Sequence, residues 1–117
     1  MGLIVTENAF TKREQAIDEI KAANLWLLEL VLEPGERDTH WHDFYAQDYI
    51  LEGELILKDE ALGVEHRIGP GTRLIAPPRW LHSEKMESPV KLLIGLSIDP
   101  ATLPENIDLS PAELQRV

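Results

Sequence analysis

The feature that most constrains the fold of this chain is the spacing of its turn residues. Pro34-Gly35, Glu52-Gly53-Glu54, Lys58-Asp59-Glu60, Gly69-Pro70-Gly71, Pro77-Pro78 and Ser88-Pro89 recur through its middle. Glycine and proline supply the backbone angles of tight turns and punctuate regular structure. Between them lie strand-like runs: Tyr49–Leu51, Leu55–Leu57, Val64–Ile68, Arg73–Ala76, His82–Met86 and Val90–Ile98. Short strands with turns every 8–12 residues or so predict an all-β sandwich or barrel. Leu25–Leu32 extends the pattern upstream, with Trp26, Leu28, Leu30 and Leu32 on one face.

Outside this block the signals change. Gly2–Glu7 reads as an edge strand. Thr11-Lys12-Arg13-Glu14 has the form of a capping box, with Thr11 as N-cap and Glu14 at the third helical position. Ala16, Ile17, Ile20 and Ala23 then recur at helical spacing. The pattern predicts one short N-terminal helix over about residues 12–23, packed on the outside of the barrel. The stretch from Asp99 to Val117, with Pro100, Pro104 and Pro111, reads as an extended wrap with one helical turn after Ser110-Pro111. With 117 residues the expectation is a single domain, its core spanning about 25–98.

Composition limits the partners. Eleven Lys and Arg against 21 Asp and Glu leave a formal charge of −10. Nucleic-acid affinity comes mostly from cations neutralising phosphates, and anionic membranes attract basic segments. Neither partner is expected. The chain has no cysteine, which excludes disulfides, thiolate metal sites and a cysteine nucleophile. No apolar run is long enough to span a bilayer, and no secretory signal is visible, so the expected location is cytoplasmic. The residue 1–7 strand and the 25–32 strand offer edges and apolar surface for a homodimer.

Four histidines are present: His40, His42, His66 and His82. In His40-Trp41-His42 the two imidazoles share one face of a strand, about 7 Å apart along it. Pro77-Pro78 cannot donate ladder hydrogen bonds, so the chain must bend there. Such a bend can bring His82 to the same face. His66, between Glu65 and Arg67, has no motif around it and reads as a rim histidine.

These segments together resemble the cupin superfamily, whose motifs run G-x5-H-x-H-x3,4-E-x6-G and G-x5-P-x-G-x2-H-x3-N. The first corresponds to Gly35 through Gly53, including His40-Trp41-His42, and the second to Gly71 through Met86, including Pro77 and His82. The resemblance implies a small antiparallel double-stranded β-helix, or jelly-roll barrel. It also implies one divalent transition-metal ion (Fe, Zn, Ni or Mn) held by His40, His42 and His82. Three positions depart from the pattern. Gly35 is one residue closer to His40, Arg79 stands where the family has glycine, and Met86 where it has asparagine. The glutamate ligand is also absent. Counting back from Gly53 gives Ala46, and counting forward from His42 gives Gln47. Gln47 is the expected fourth ligand, with Asp48 or no protein ligand as alternatives.

Around the motifs, Asp43 is a candidate hydrogen-bond partner for a ligand imidazole, or a solvated acid. Trp80, Phe44 and Tyr45 are candidate pocket aromatics, and Trp41 is assigned to outer packing. Arg73 and Arg79 are candidate clamps for a substrate carboxylate, or exposed charges. Asp48, Tyr45 and Glu84 are the nearest candidate bases, and no catalytic residue stands out among them. Three neutral imidazoles and a divalent ion leave positive charge and open positions for a small anionic organic substrate. The leading function is a metal-dependent enzyme of dioxygenase or isomerase type. The alternatives are a non-enzymatic cupin binding a small ligand or metal, and a purely structural domain.

Overall fold

The computed structural model of the chain describes residues 3–103 and 108–114. Among these residues the elements run β1 (Ile4–Thr6), α1 (Arg13–Ala22), β2 (Trp26–Leu32), β3 (Gly35–His40), β4 (Ala46–Glu52) and β5 (Leu55–Asp59). They continue with β6 (Val64–Ile68), β7 (Arg73–Ala76), β8 (His82–Met86) and β9 (Val90–Leu96). A 3-10 turn at Pro100–Thr102 and one helical turn, α2 (Pro111–Leu114), follow. Gly2, residues 104–107 and the last three residues, covered by the strand and tail expectations, lie outside the described residues.

The strands form two antiparallel sheets, one ordered β1-β7-β4-β9-β2 and the other β3-β8-β5-β6. This is the predicted all-β jelly roll with one N-terminal helix. The two strands expected to offer edges, β1 and β2, lie at the two ends of the same sheet. Leu30 and Leu32 turn from β2 into the core beside Ile50, Leu55, Leu57, Ile68, Leu74 and Leu92. Val31 and Trp26 stay about half exposed, at 53% and 52%. Each fully buried Leu or Ile contributes about 1.5–3 kcal/mol, so this apolar layer is what holds the sheets together.

Helix α1 covers the outer face of the five-stranded sheet. Its Ala16 and Ile20 are buried against Phe10, Tyr49 and Leu93. Gly95 on β9 permits the approach, because a Cβ there would lie 3.0–3.1 Å from Leu25 and Ile20. The cap differs from expectation by one residue. Lys12, not Thr11, is the N-cap, and Gln15 rather than Glu14 turns back. Gln15 Oε1 accepts from the backbone N–H groups of Thr11 (2.7 Å) and Lys12 (3.0 Å). The amide of Gln15 does the work expected of a carboxylate.

At the turn between β4 and β5, where the chain passes from one sheet to the other, Gly53 has φ +89°, and a Cβ there would collide with the Pro89 carbonyl. Both the turn and the close approach exclude a side chain.

Candidate metal centre

Strands β3 and β8 deliver two of the histidines. Arg37 pairs with Glu84 and His40 with His82, so β3 carries one extra residue between those pairs. Arg37 and His40 are three residues apart and would face opposite sides of a regular strand. The bulge re-aims His40 so that both face the side occupied by His82 and Glu84. His42 follows just beyond the end of β3. The ring centroids lie 4.2 Å (His40–His82), 5.0 Å (His40–His42) and 5.2 Å (His42–His82) apart. One ligand-capable atom from each lies within 4.8 Å of the others, so the three could hold a metal ion.

Two rings are oriented by backbone. His40 Nδ1 lies 2.6 Å from the Asp38 carbonyl, inside the bulge, and His82 Nδ1 lies 2.9 Å from the Trp80 carbonyl. A carbonyl only accepts, so both Nδ1 atoms carry a proton and, in the neutral rings, both Nε2 atoms keep a lone pair. Metal-ligating imidazoles are commonly fixed by a contact of this kind. Aromatic faces complete the orientation: Trp80 stacks on His82 at 4.5 Å and Phe44 on His42 at 5.1 Å. The Arg79 N–H donates to the His42 carbonyl at 2.9 Å, joining the two histidine loops. Arg79, where the family has glycine, has φ +63°.

The cluster borders a cavity of about 100 Å³ between the sheets. Its walls are mostly leucine, with Arg37, His42, Asp48, His82 and Glu84 as the ionisable lining groups. Larger grooves of about 260 and 710 Å³ lie among charged side chains and include no histidine. Asp48 sits in register between Leu74 on β7 and Ile94 on β9. Burial, reinforced by the Glu84 charge, pushes its carboxyl up to about 7. Its Oδ1 has no hydrogen-bond partner among the described residues.

Glu84 Oε1 lies 3.5 Å from His40 Nε2 and 3.6 Å from Arg37 Nη1. Burial alone would raise this carboxyl, but His40, His82 and Arg37 outweigh it and hold it below the ordinary value. The two buried histidines are driven apart. Burial, then the proximity of His40, lowers His82 to about 4. Burial also opposes charge on His40, but Glu84, the Asp38 carbonyl and Asp108 together raise it.

The fourth expected ligand is not brought to the cluster. Gln47 lies on the other face of β4. Its Oε1 accepts from the Tyr45 hydroxyl (2.7 Å), and its Nε2 donates to the Tyr49 hydroxyl (3.0 Å). Tyr49 in turn donates to Glu19 of α1 at 2.9 Å. Ala46 does face the cavity but offers only a methyl group. Asp48 faces it as well. Tyr45 is drawn into the Gln47 pair. Arg73 bonds Glu19 at 2.9 Å on the outer face, and Arg79 is exposed, 3.9 Å from Asp43. Neither lines the cavity, so neither is a substrate clamp there. Phe44 and Trp80 do line it. His66, on edge strand β6, is not in the cluster.

One group was invisible in the sequence. Asp108 Oδ1 lies 3.7 Å from His40 Nε2 and 3.8 Å from His42 Nδ1. No motif surrounds Asp108, and only the folding of the C-terminal segment over Trp41 brings it there. Glu84 had a usable signal, since it lies two residues beyond His82 on the same strand and so shares its face.

No protein-family model matches this chain, and no curated protein matches it by sequence. Solved structures do. A DUF861-family protein from Thermotoga maritima is 20% identical over 80% of this chain and 98% of its own, with a TM-score of 0.59. A cupin-superfamily protein from Desulfitobacterium hafniense is 14% identical over 83% and 78%, with a TM-score of 0.53. A TDP-quinovose 3,4-ketoisomerase from Campylobacter jejuni is 18% identical over 79% and 75%, with a TM-score of 0.54. The fold is that of the cupin superfamily. Among the described residues no helix is long and apolar enough to cross a membrane.

Proposed function

We propose that His40, His42 and His82 hold one divalent transition-metal ion, and that the protein is an enzyme acting on a small organic substrate in the adjoining cavity. The observation that carries this reading is the pair of imidazoles whose Nδ1 atoms are held by backbone carbonyls, leaving their Nε2 lone pairs for an ion. Neutral imidazole donors suit Fe, Zn, Ni or Cu better than Ca or Mg. Such an ion supplies Lewis-acid polarisation of a substrate oxygen.

Of the two reaction types expected, the cavity supports isomerisation. Asp48 is a buried carboxyl poised near neutrality beside the space a substrate would fill, as a group that takes and returns a proton should be. The ketoisomerase named above shares the fold, with which this reading is compatible. Substrate size follows from the cavity. A single water needs about 10–15 Å³ of such space, so about 100 Å³ admits only a compact molecule. Glu84 and Asp108 offset the ion's charge only in part, because Arg37 lies 3.6 and 3.9 Å from them. A small hydroxyketone, which becomes an enediolate anion once its proton has left, suits the positive charge that remains.

Elemental mass spectrometry on tag-free protein tests the metal. About one equivalent per chain is expected, and its loss in His82→Ala. Deuterium wash-in at the α-carbon of small hydroxyketones in D₂O, followed by proton NMR, tests the chemistry. Exchange that needs both the metal and Asp48 is expected. Metal binding without exchange across the panel would instead favour the non-enzymatic binding protein.

A further inference from the structure

We propose that Asp108, on the C-terminal segment, is the fourth protein ligand of this centre and occupies the role left vacant by Ala46 and Gln47. The inference rests on the metal reading above and goes beyond it by naming the missing donor.

The geometry is specific. An ion bonded at about 2.0–2.2 Å to both an imidazole nitrogen and a carboxylate oxygen keeps those atoms within roughly 4.3 Å, the sum of the bonds. Asp108 Oδ1 meets this bound with two of the three rings, at 3.7 Å from His40 Nε2 and 3.8 Å from His42 Nδ1. Glu84 meets it with His40 at 3.5 Å, and it also lies 3.6 Å from Arg37. One oxygen lying against two ligand nitrogens is the placement of another corner of the same coordination sphere. Glu84 then acts as the ion-pair partner that sets the charge around His40.

The segment carrying Asp108 is held in place. Trp41 and Leu109 exchange two backbone hydrogen bonds, at 3.1 and 3.0 Å. The indole Nε1–H of Trp41 donates to the Ser110 carbonyl at 2.8 Å, and Trp41 is only 3% exposed. Arg37 Nη1 lies 3.9 Å from Asp108 Oδ2. The tripeptide His40-Trp41-His42 therefore acts on both sides. Its imidazoles reach Asp108 Oδ1, while the residue between them clamps the two residues that follow Asp108.

The test uses full-length, tag-free protein stripped with EDTA and titrated with Co²⁺, whose visible absorption reports its ligands. Asp108→Asn keeps the size and removes the anionic donor. Loss of a contact that merely orients a ligand costs 10–100-fold in metal affinity, so loss of a direct donor is expected to cost at least tenfold and to change the Co²⁺ spectrum. Glu84→Gln is expected to leave the spectral shape in place. Trp41→Phe, which loses the indole donor but keeps a ring, is expected to weaken Co²⁺ binding in the same direction by a smaller factor. If wild-type protein binds no Co²⁺, the metal reading itself fails and this inference falls with it. If wild type binds, His82→Ala does not, and Asp108→Asn keeps both affinity and spectrum, the metal reading stands and this inference is overturned. A spectral change in Glu84→Gln but not in Asp108→Asn also overturns it. Should Asp108→Asn fail to fold, unchanged Co²⁺ affinity in Trp41→Phe overturns it as well.

Discussion

The two faces of strand β4 make the most instructive comparison in this molecule. Gln47 and Asp48 are neighbours in sequence, yet one belongs to a structural network and the other to the cavity. On the outer face Gln47, Tyr49 and Glu19 form a chain of hydrogen bonds beneath α1, each between 2.7 and 3.0 Å counting the Tyr45 hydroxyl. The side chains of Gln47, Tyr49 and Glu19 are paired there. On the inner face Asp48 stands among apolar neighbours, and its Oδ1 has no protein partner among the described residues. A buried polar group left without a partner costs roughly 1–3 kcal/mol. A fold tolerates that cost most readily where the group serves chemistry, as proposed above for the inner face.

The strongest test of this contrast removes the anchor of the outer face. Tyr49 is fully buried, and burial with the nearby Glu19 raises its hydroxyl to about 12, so it stays protonated and donates. Tyr49→Ala is expected to destabilise by about 3–5 kcal/mol in urea unfolding, in the range of large-to-small aromatic substitutions. Metal content per folded molecule should stay unchanged. Loss of metal at full folding would show that the two faces are not independent.

Asp48 gives the next largest effect, through pH. Its carboxyl titrates near 7 in the fold against 3.8 in its ordinary state, so the native state holds the proton more tightly. Its favourable contribution is full below about pH 4 and is lost as pH rises through about 7. At 1.36 kcal/mol per pK unit the whole change is of the order of 4 kcal/mol. Metal-free wild type should lose stability over that window, and Asp48→Asn should be flatter and the more stable of the two at pH 8. Identical pH profiles from thermal melts would remove Asp48 from the role assigned to it.

Gln47 sharpens the comparison from the other side. Gln47→Ala should leave metal affinity within twofold of wild type, because the amide is engaged by two tyrosines. It should cost about 0.5–1.5 kcal/mol for each hydrogen bond lost. A tenfold fall in Co²⁺ affinity would return Gln47 to the centre and break the division between the faces.

The smallest effect concerns the loop that carries Trp80 toward His82. Arg79 holds a left-handed backbone, which costs a non-glycine residue roughly 1–2 kcal/mol. Arg79→Gly relieves that strain but adds unfolded-state freedom worth about 0.4–1 kcal/mol. The melting temperature should rise by a few degrees at most, with metal content unaltered. A fall would show that the Arg79 side chain supports the loop, despite its exposure.

How much of this was legible in the sequence follows from which signals are local. Val64–Ile68, Arg73–Ala76 and His82–Met86 appear as strands over the same residues in the structure, because turns built on glycine and proline lie beside them in the chain. Helix α1 was legible from its spacing, and its cap was misplaced by one residue because glutamine and glutamate can both turn back to the N-terminus. The shared face of His40, His42 and His82 was legible from alternation and a proline bend. The orientation of β4 was not. Both of its faces are covered, one by the opposing sheet and one by α1, so its apolar residues do not reveal which side is inward. The count from His42 to Gln47 crosses a turn, and a turn does not preserve the alternation of side chains.

The sequence by itself determined the β architecture, the punctuation of its strands and the three histidines, since each depends on the conformational limits of nearby residues. Tertiary structure alone decided the rest. The bulge between Arg37 and His40 exists only as a mismatch between paired strands. Asp48 becomes a neutral-range acid only because the closed sheets bury it and bring Glu84 near it. Asp108 reaches His40 and His42 only because Trp41 holds Leu109 and Ser110 across a long separation in the chain. Turns and alternation are short-range properties of the backbone. Desolvation and the convergence of carboxylates on imidazoles depend on which distant segments meet, and that is settled only when the whole barrel closes.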